Sequence, residues 1–404
     1  MHHSEIKSEV RRLIADGTVL PAHPLALDAD RKLDKIHQRA LTRYYIDAGA
    51  GGLAVGVHTT QFAIRDVGLY RPVLELAAET AANWTKRPLA LVAGLAGPTE
   101  QAVAEAETAR GIGYHAGLLS LAAMKSASED EIVAHCHAIA KEIPLVGFYL
   151  QPAVGGVILS ANFWRRFAEI DNVIAIKIAP FNRYRTLDVL RGVAAANALD
   201  RITLYTGNDD HILLDLTLPF DLRDNGVTTR THIRGGLLGH WSVWTQSAMK
   251  QFEACKAARN KPSVPADLLA LDARVTDCNS AFFDVANNFH GCIAGCHEVL
   301  RRQGLMAGIW CLDPHEGLSP GQLQEIDRVY NEHADLSDDD FVAANLEKWL
   351  ACAQARPSSA CAMSARSTAP GLRIFWRCPT SPWTCRKASW CRWSVRPAAA
   401  RPRS

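Results

Sequence analysis

Lys177 sits in Asn172-Val173-Ile174-Ala175-Ile176-Lys177-Ile178-Ala179, a stretch that is otherwise apolar and of strand length. Burying an ammonium without a partner is costly, so lysine is rare in such a stretch. An enclosed site desolvates the amine and lowers its pKa. The result is a neutral amine near pH 7, which can attack a ketone and form a Schiff base. The competing reading is a structural lysine paired with a buried carboxylate. Tyr149 ends the preceding apolar run, in Phe148-Tyr149-Leu150-Gln151-Pro152. A phenol there could relay protons to and from the carbinolamine, or it could be a packing residue.

Two further strand ends carry polar groups. In Gly56-Val57-His58-Thr59-Thr60-Gln61, hydroxyls and free backbone N–H groups suit a substrate carboxylate. The bland reading is a threonine-rich strand terminus. His58 adds an imidazole expected to titrate near neutrality, as an acid/base or as a shaper of the pocket. In Thr206-Gly207-Asn208-Asp209-Asp210, Gly207 and Asp209 are candidate substrate contacts, and Asp210 reads as a helix N-cap.

These groups need a scaffold that brings strand ends together. Eight short apolar runs recur, at Val19–Leu25, Gly52–Val57, Leu89–Leu95, Gly117–Leu121, Pro144–Leu150, Val173–Ile178, Ile202–Tyr205 and Thr231–Leu238. From the third onward they start about 28 residues apart, with helical stretches such as Ala102–Arg110, Glu129–Lys141 and Leu187–Ala196 between them. Eight alternating units predict a parallel sheet closed into a (β/α)8 TIM barrel, an α/β fold whose active sites lie at the C-terminal ends of the strands. A doubly wound sheet would carry a glycine-rich phosphate loop after its first strand, and Leu25–Arg31 has none. The expected organisation is an N-terminal helix over 1–17, the barrel over 18–240 and C-terminal helices over 241–350.

Residues 351–404 stand apart. They hold nine Arg, one Lys and no acidic residue, with five of the eleven Cys and four of the ten Trp. The cysteines are irregularly spaced and unaccompanied by His, which argues against zinc. The segment reads as a disordered basic tail, either an out-of-frame translation or a natural tail for an acidic partner. Without it, 34 basic and 42 acidic residues remain in 1–350, a net charge of −8. That balance argues against nucleic acid as a partner. The polar N-terminus and the lack of a long apolar run predict a cytoplasmic protein with no membrane partner.

Taken together, Tyr149-x-x-Pro152, Ile176-Lys177, Pro21-Ala22-His23-Pro24-Leu25, Gly51-Gly52-Leu53-Ala54-Val55 and Gly207-Asn208-Asp209 resemble the dihydrodipicolinate synthase / N-acetylneuraminate lyase family, over roughly residues 18–300. The resemblance implies a class I aldolase or lyase. Lys177 would condense with a pyruvate-like 2-oxo acid, Tyr149 would relay protons, and Thr59 and Thr60 would hold the carboxylate. It implies small-molecule partners (a 2-oxo acid and an aldehyde), no metal or organic cofactor, and a homo-oligomer, tetramer or dimer. The chain also departs from the family. His58 replaces a hydroxyl residue, Ala122-Ala123-Met124 falls where a Pro-Tyr-Tyr would be, and Val154 falls where an Arg would bind a distal carboxylate. An acceptor with an uncharged or aromatic distal end is expected. Two other readings remain open: a metal-dependent barrel lyase using His58, His115 or His211, and a non-catalytic barrel that senses a 2-oxo acid.

Overall fold

A computed structural model describes residues 1–224, 226–259 and 261–351. The basic tail lies outside the described residues. Eight parallel strands form one sheet: β1 (Val19–Pro21), β2 (Gly52–Val55), β3 (Ala90–Leu95), β4 (Ala116–Leu119), β5 (Leu145–Leu150), β6 (Val173–Ala179), β7 (Thr203–Thr206) and β10 (Gly235–Leu238). Their spatial order is β1-β10-β7-β6-β5-β4-β3-β2. A parallel bridge from Ala22 to Ala54 closes the ring, and the His23 N–H donates to the Ala54 carbonyl at 2.8 Å. The fold is therefore the (β/α)8 barrel expected from the alternation of apolar runs.

Residues of α2 (Lys35–Asp47), α3 (Tyr70–Trp84), α4 (Thr99–Ile112), α5 (Glu129–Ala140), α6 (Ala161–Ala168), α7 (Arg183–Ala195), α8 (Ile212–Thr217) and α9 (Thr245–Arg259) alternate with the strands. Alternation along each strand sorts the side chains into two cores. Leu20, Ala54, Val92, Leu118, Val146, Phe148 and Leu237 fill the lumen, and Ile6, Val10 and Ile14 join them from the N-terminal segment. The helix α1 (Ser8–Asp16) thus plugs the lower end, where the Tyr205 hydroxyl donates to the Ile14 carbonyl at 2.9 Å. Leu53, Val55, Leu95, Leu145, Tyr149, Ile176 and Ile178 face outward and pack under the helices.

The structure corrects the last strand. β10 begins at Gly235, while Thr231 ends an antiparallel hairpin of β8 (Phe220–Asp224) and β9 (Val227–Thr231). The hairpin lies against α7, with the Arg183 guanidinium over the Phe220 ring at 5.8 Å. Phe220 and Leu222 of the hairpin pack, partly buried, against the outer core. Asp210 is not the N-cap of α8. Asp272 Oδ1 accepts the N–H groups of Leu213 and Leu214 at 2.9 and 3.1 Å, so the cap comes from a later helix. That helix is α10 (Ala266–Phe282), followed by α11 (Cys292–Arg302), α12 (Gln322–Glu332) and α13 (Asp339–Leu350). Among the described residues no helix is long and apolar enough to cross a membrane.

Candidate active site

A cavity opens at the C-terminal ends of the strands. Its polar lining includes His58, Thr59, Gln151, Lys177 and Asp209. The rest is largely apolar: Val57, Phe148, Leu150, Val154 and Ala179 from the barrel, with Phe181, Phe283, Phe289 and Cys292 closing over it.

Lys177 points inward from β6 and is 8% exposed. Its Nζ lies 4.4 Å from the centre of the Phe148 ring, its register partner on β5. Burial pushes the ammonium below the usual lysine range, and the Asp209 carboxylate partly restores it. Gly207 gives the side chain its path. A Cβ at that position would sit 2.5 Å from Lys177 Cε and 2.8 Å from Ala179 Cβ.

Asp209 faces the same cavity and is held at two points. Its Oδ1 accepts the His240 N–H at 3.1 Å, and its carbonyl accepts Asn279 Nδ2 at 2.6 Å. Burial pushes its carboxyl well above the usual range, while the Lys177 charge and the His240 N–H pull it back. Asn208, by contrast, is turned into the wall. Its amide donates to Asp215 Oδ2 at 2.9 Å and to Thr186, and its Oδ1 accepts the Phe181 N–H.

The β2 terminus divides its three candidates. Gly56 takes a φ of +78°, which glycine adopts at little cost, and the chain then turns into a short 3-10 helix, His58–Thr60. Thr60 Oγ1 donates to the His23 carbonyl at 2.6 Å and accepts the Gly56 N–H at 2.9 Å, so Thr60 is a buried clasp and not a cavity residue. Thr59 lines the cavity, yet its hydroxyl donates to the Ala22 carbonyl at 2.8 Å. Burial and the Lys177 charge lower His58 to about 4. At neutral pH it is an uncharged imidazole, not the near-neutral titrating group expected from sequence.

The largest correction concerns Tyr149. Phe148 pairs with Lys177 across β5 and β6, so the next residue points out of the barrel. The Tyr149 hydroxyl donates to the Leu159 carbonyl at 3.2 Å and accepts from the Leu159 N–H and Arg185, both at 3.3 Å. Its ring packs on Trp164 at 5.1 Å. It packs in the outer core under the helices and is not among the residues that line the cavity.

The three histidines of the metal reading do not converge. His115 precedes β4, at the opposite end of the barrel from His58, and its Nδ1 accepts the Leu91 N–H at 3.0 Å. His211 faces Asp272 at 3.3 Å. Sequence reasoning missed Gln151, Phe181, Phe283, Phe289 and the cavity-lining role of Cys292. It did anticipate the apolar Val154.

The sequence model of the dihydrodipicolinate synthetase family matches residues 17–232, more than half of the chain, and the protein belongs to that family. It is a family of aldolase-type lyases. N-acetylneuraminate lyase 2 of Escherichia coli O6:H1 is 23% identical over 323 residues, covering 78% of this chain and 95% of that protein. The 4-hydroxy-tetrahydrodipicolinate synthase of Persephonella marina is 24% identical over 164 residues, 40% of this chain, and the match spans 55% of that enzyme's length. Among solved structures, dihydrodipicolinate synthase from Aquifex aeolicus superposes with a TM-score of 0.64 at 16% identity, covering 80% of this chain and 99% of that one. The chloride-inhibited synthase from Acinetobacter baumannii complexed with pyruvate gives 0.63 at 17%, covering 79% and 98%.

Proposed function

We propose that this protein is a class I aldolase whose Lys177 forms a Schiff base with a pyruvate-like 2-oxo acid and whose second substrate is an aldehyde with an apolar or aromatic distal group. The observation that carries the reading is the Lys177 amine, desolvated at the mouth of the barrel and free of any ion pair within 4 Å among the described residues. The protonated imine formed there is its own electron sink, so the chemistry needs no added cofactor.

The carboxylate of the 2-oxo acid fits the start of the His58–Thr60 turn. The N–H groups of His58 and Thr59 have no acceptor among the described residues, and N–H groups at such a terminus favour an anion. Beyond Lys177 the cavity is lined by Phe181, Phe283, Phe289, Leu150 and Val154. Arg183 and Arg185 do not supply a second cation. Arg183 pairs with buried Asp215, and Arg185 donates to Tyr149. An aldehyde bearing a distal carboxylate would leave that charge unpaired in an apolar pocket, at a cost of several kcal/mol.

Borohydride added with pyruvate tests the reading. Intact mass and peptide mapping should show one pyruvate-derived adduct, on Lys177. No adduct, or an adduct on another lysine, would overturn it.

A further inference from the structure

With Tyr149 outside the barrel, the cavity lacks the phenol that the resemblance assigned to proton transfer, and the imine chemistry still requires an acid and a base. We propose that Asp209 is the acid–base residue of this site, moving protons at both the carbinolamine and the C3 carbon of the bound 2-oxo acid. The inference rests on the Schiff-base reading of Lys177 and deepens it.

Three observations select Asp209. It lines the cavity from the strand end that carries Gly207, the residue packed against the Lys177 stem. It is clamped through its carbonyl and through Oδ1, so the carboxyl has a fixed position and little reorganisation to undergo. The other titratable groups in or around this space are poor candidates. His58 is held neutral with a pKa of about 4. The Cys292 and Cys296 thiols on α11 are pushed upward by burial and by the Asp209 charge, so at neutral pH they neither carry a base nor give up a proton readily. The His240 ring is likewise held at about 4, and Asp210 adds only a like charge beside Asp209.

The proton balance closes within the pair. Lys177 and Asp209 share one proton, either as ammonium and carboxylate or as amine and carboxylic acid. Burial pushes the amine down to about 8 and the carboxyl up to about 7, which brings the two forms close to balance and keeps the neutral amine within easy reach. The neutral amine adds to the C2 carbonyl, forming the C–N bond. The nitrogen loses one proton and the oxygen gains one, with Asp209 as the relay. The Asp209 carboxylic acid then protonates the carbinolamine hydroxyl, which leaves as water and gives the iminium. The resulting carboxylate removes a C3 proton. The C–H pair becomes the C2=C3 bond, and the C=N pair returns to nitrogen as the enamine. When the enamine carbon attacks the aldehyde, Asp209 returns that proton to the new alkoxide.

The experiment uses the full chain and pyruvate in D2O, following loss of the methyl proton signal by NMR alongside borohydride trapping. Wild type should form the Lys177 adduct and exchange the methyl protons. Asp209→Asn should still give the adduct on long incubation, but exchange should fall at least a hundredfold. Asp209→Glu should recover part of the rate. The wild-type pH profile should show two ionisations. Asp209→Asn should keep one, moved to lower pH because the carboxylate no longer supports the ammonium. Tyr149→Phe should exchange within threefold of wild type. Exchange by Asp209→Asn within threefold of wild type overturns the proposal, as does a hundredfold loss in Tyr149→Phe. Those outcomes leave the Schiff base standing. A wild type that forms no adduct removes the Schiff-base reading and this assignment together. A melting curve for each variant separates lost chemistry from lost fold, and the Tyr149→Phe arm decides even if Asp209→Asn does not fold.

Discussion

The two faces of the barrel wall at β5 and β6 treat polar groups in opposite ways. On the outer face the Tyr149 hydroxyl has three hydrogen-bond contacts, with Leu159 and Arg185, and its ring rests on Trp164. On the inner face Lys177 and Asp209 are also buried, yet Lys177 has only an aromatic face at 4.4 Å and no carboxylate within ion-pair distance among the described residues. A buried polar group that is fully paired stabilises the fold. One left underpaired stores a perturbed pKa that a substrate can use. The wall therefore separates the paired Tyr149 hydroxyl on its outer face from the underpaired Lys177 and Asp209 on its inner face.

The difference is sharpest at Lys177. Lys177→Ala should abolish borohydride trapping and lower turnover by a thousandfold or more, because no other cavity residue offers a nucleophilic amine. The same substitution removes a buried amine that has no ion-pair partner among the described residues, so the melting temperature should hold or rise. Residual turnover within tenfold of wild type would mean that the inner face is as inert as the outer one.

The acceptor end of the cavity is the next largest effect. Pyruvate with aspartate semialdehyde should react at least a hundredfold more slowly, in kcat/KM, than pyruvate with an apolar or aromatic aldehyde. The cause is the aromatic lining without a second cation. An unpaired buried carboxylate costs several kcal/mol, and every 1.4 kcal/mol is about tenfold. Efficient synthase turnover would place an undetected cation at the cavity mouth.

Gly207→Ala probes the packing of the reactive face itself. The new methyl would lie 2.5 Å from Lys177 Cε, so the lysine stem must shift. A displacement of that order should lower the rate of adduct formation about tenfold or more. An unchanged rate would show that the stem is free to move and that the amine is not positioned by its neighbours.

Much of this was legible in the sequence, and each miss has its own physical cause. Lys177 announced itself as a charge in an apolar strand, and the recurrence of apolar runs gave the barrel. Tyr149 misled because chain spacing counts residues without recording which face each one takes. The pairing of β5 with β6 shifts register between Leu145 and Val146, so Val146 faces Ala175 and Phe148 faces Lys177. One such irregularity moves a whole run of side chains to the other face. Thr60 looked like a ligand for the same reason that it makes a good clasp, a short hydroxyl beside a turn. Phe283, Phe289 and Cys292 come from the extension, whose approach to the barrel mouth no local pattern encodes.

Tyr149→Phe carries the smallest expected effect and the most information about the wall. Removing the hydroxyl leaves the Leu159 carbonyl and N–H and one Arg185 N–H without that partner, while the ring keeps its packing on Trp164. A net loss of about 1–2 kcal/mol is expected from those hydrogen bonds, which lowers the melting temperature by a few degrees. Turnover and adduct formation should stay within about threefold of wild type, since the phenol has no path to Lys177 through the barrel wall. Differential scanning calorimetry and kcat/KM with the preferred aldehyde, measured on the same preparation, separate the two effects. A stability loss with intact turnover fits a structural phenol. Intact stability with collapsed turnover would require Tyr149 to swing into the lumen and displace Phe148 from its place over the Lys177 amine.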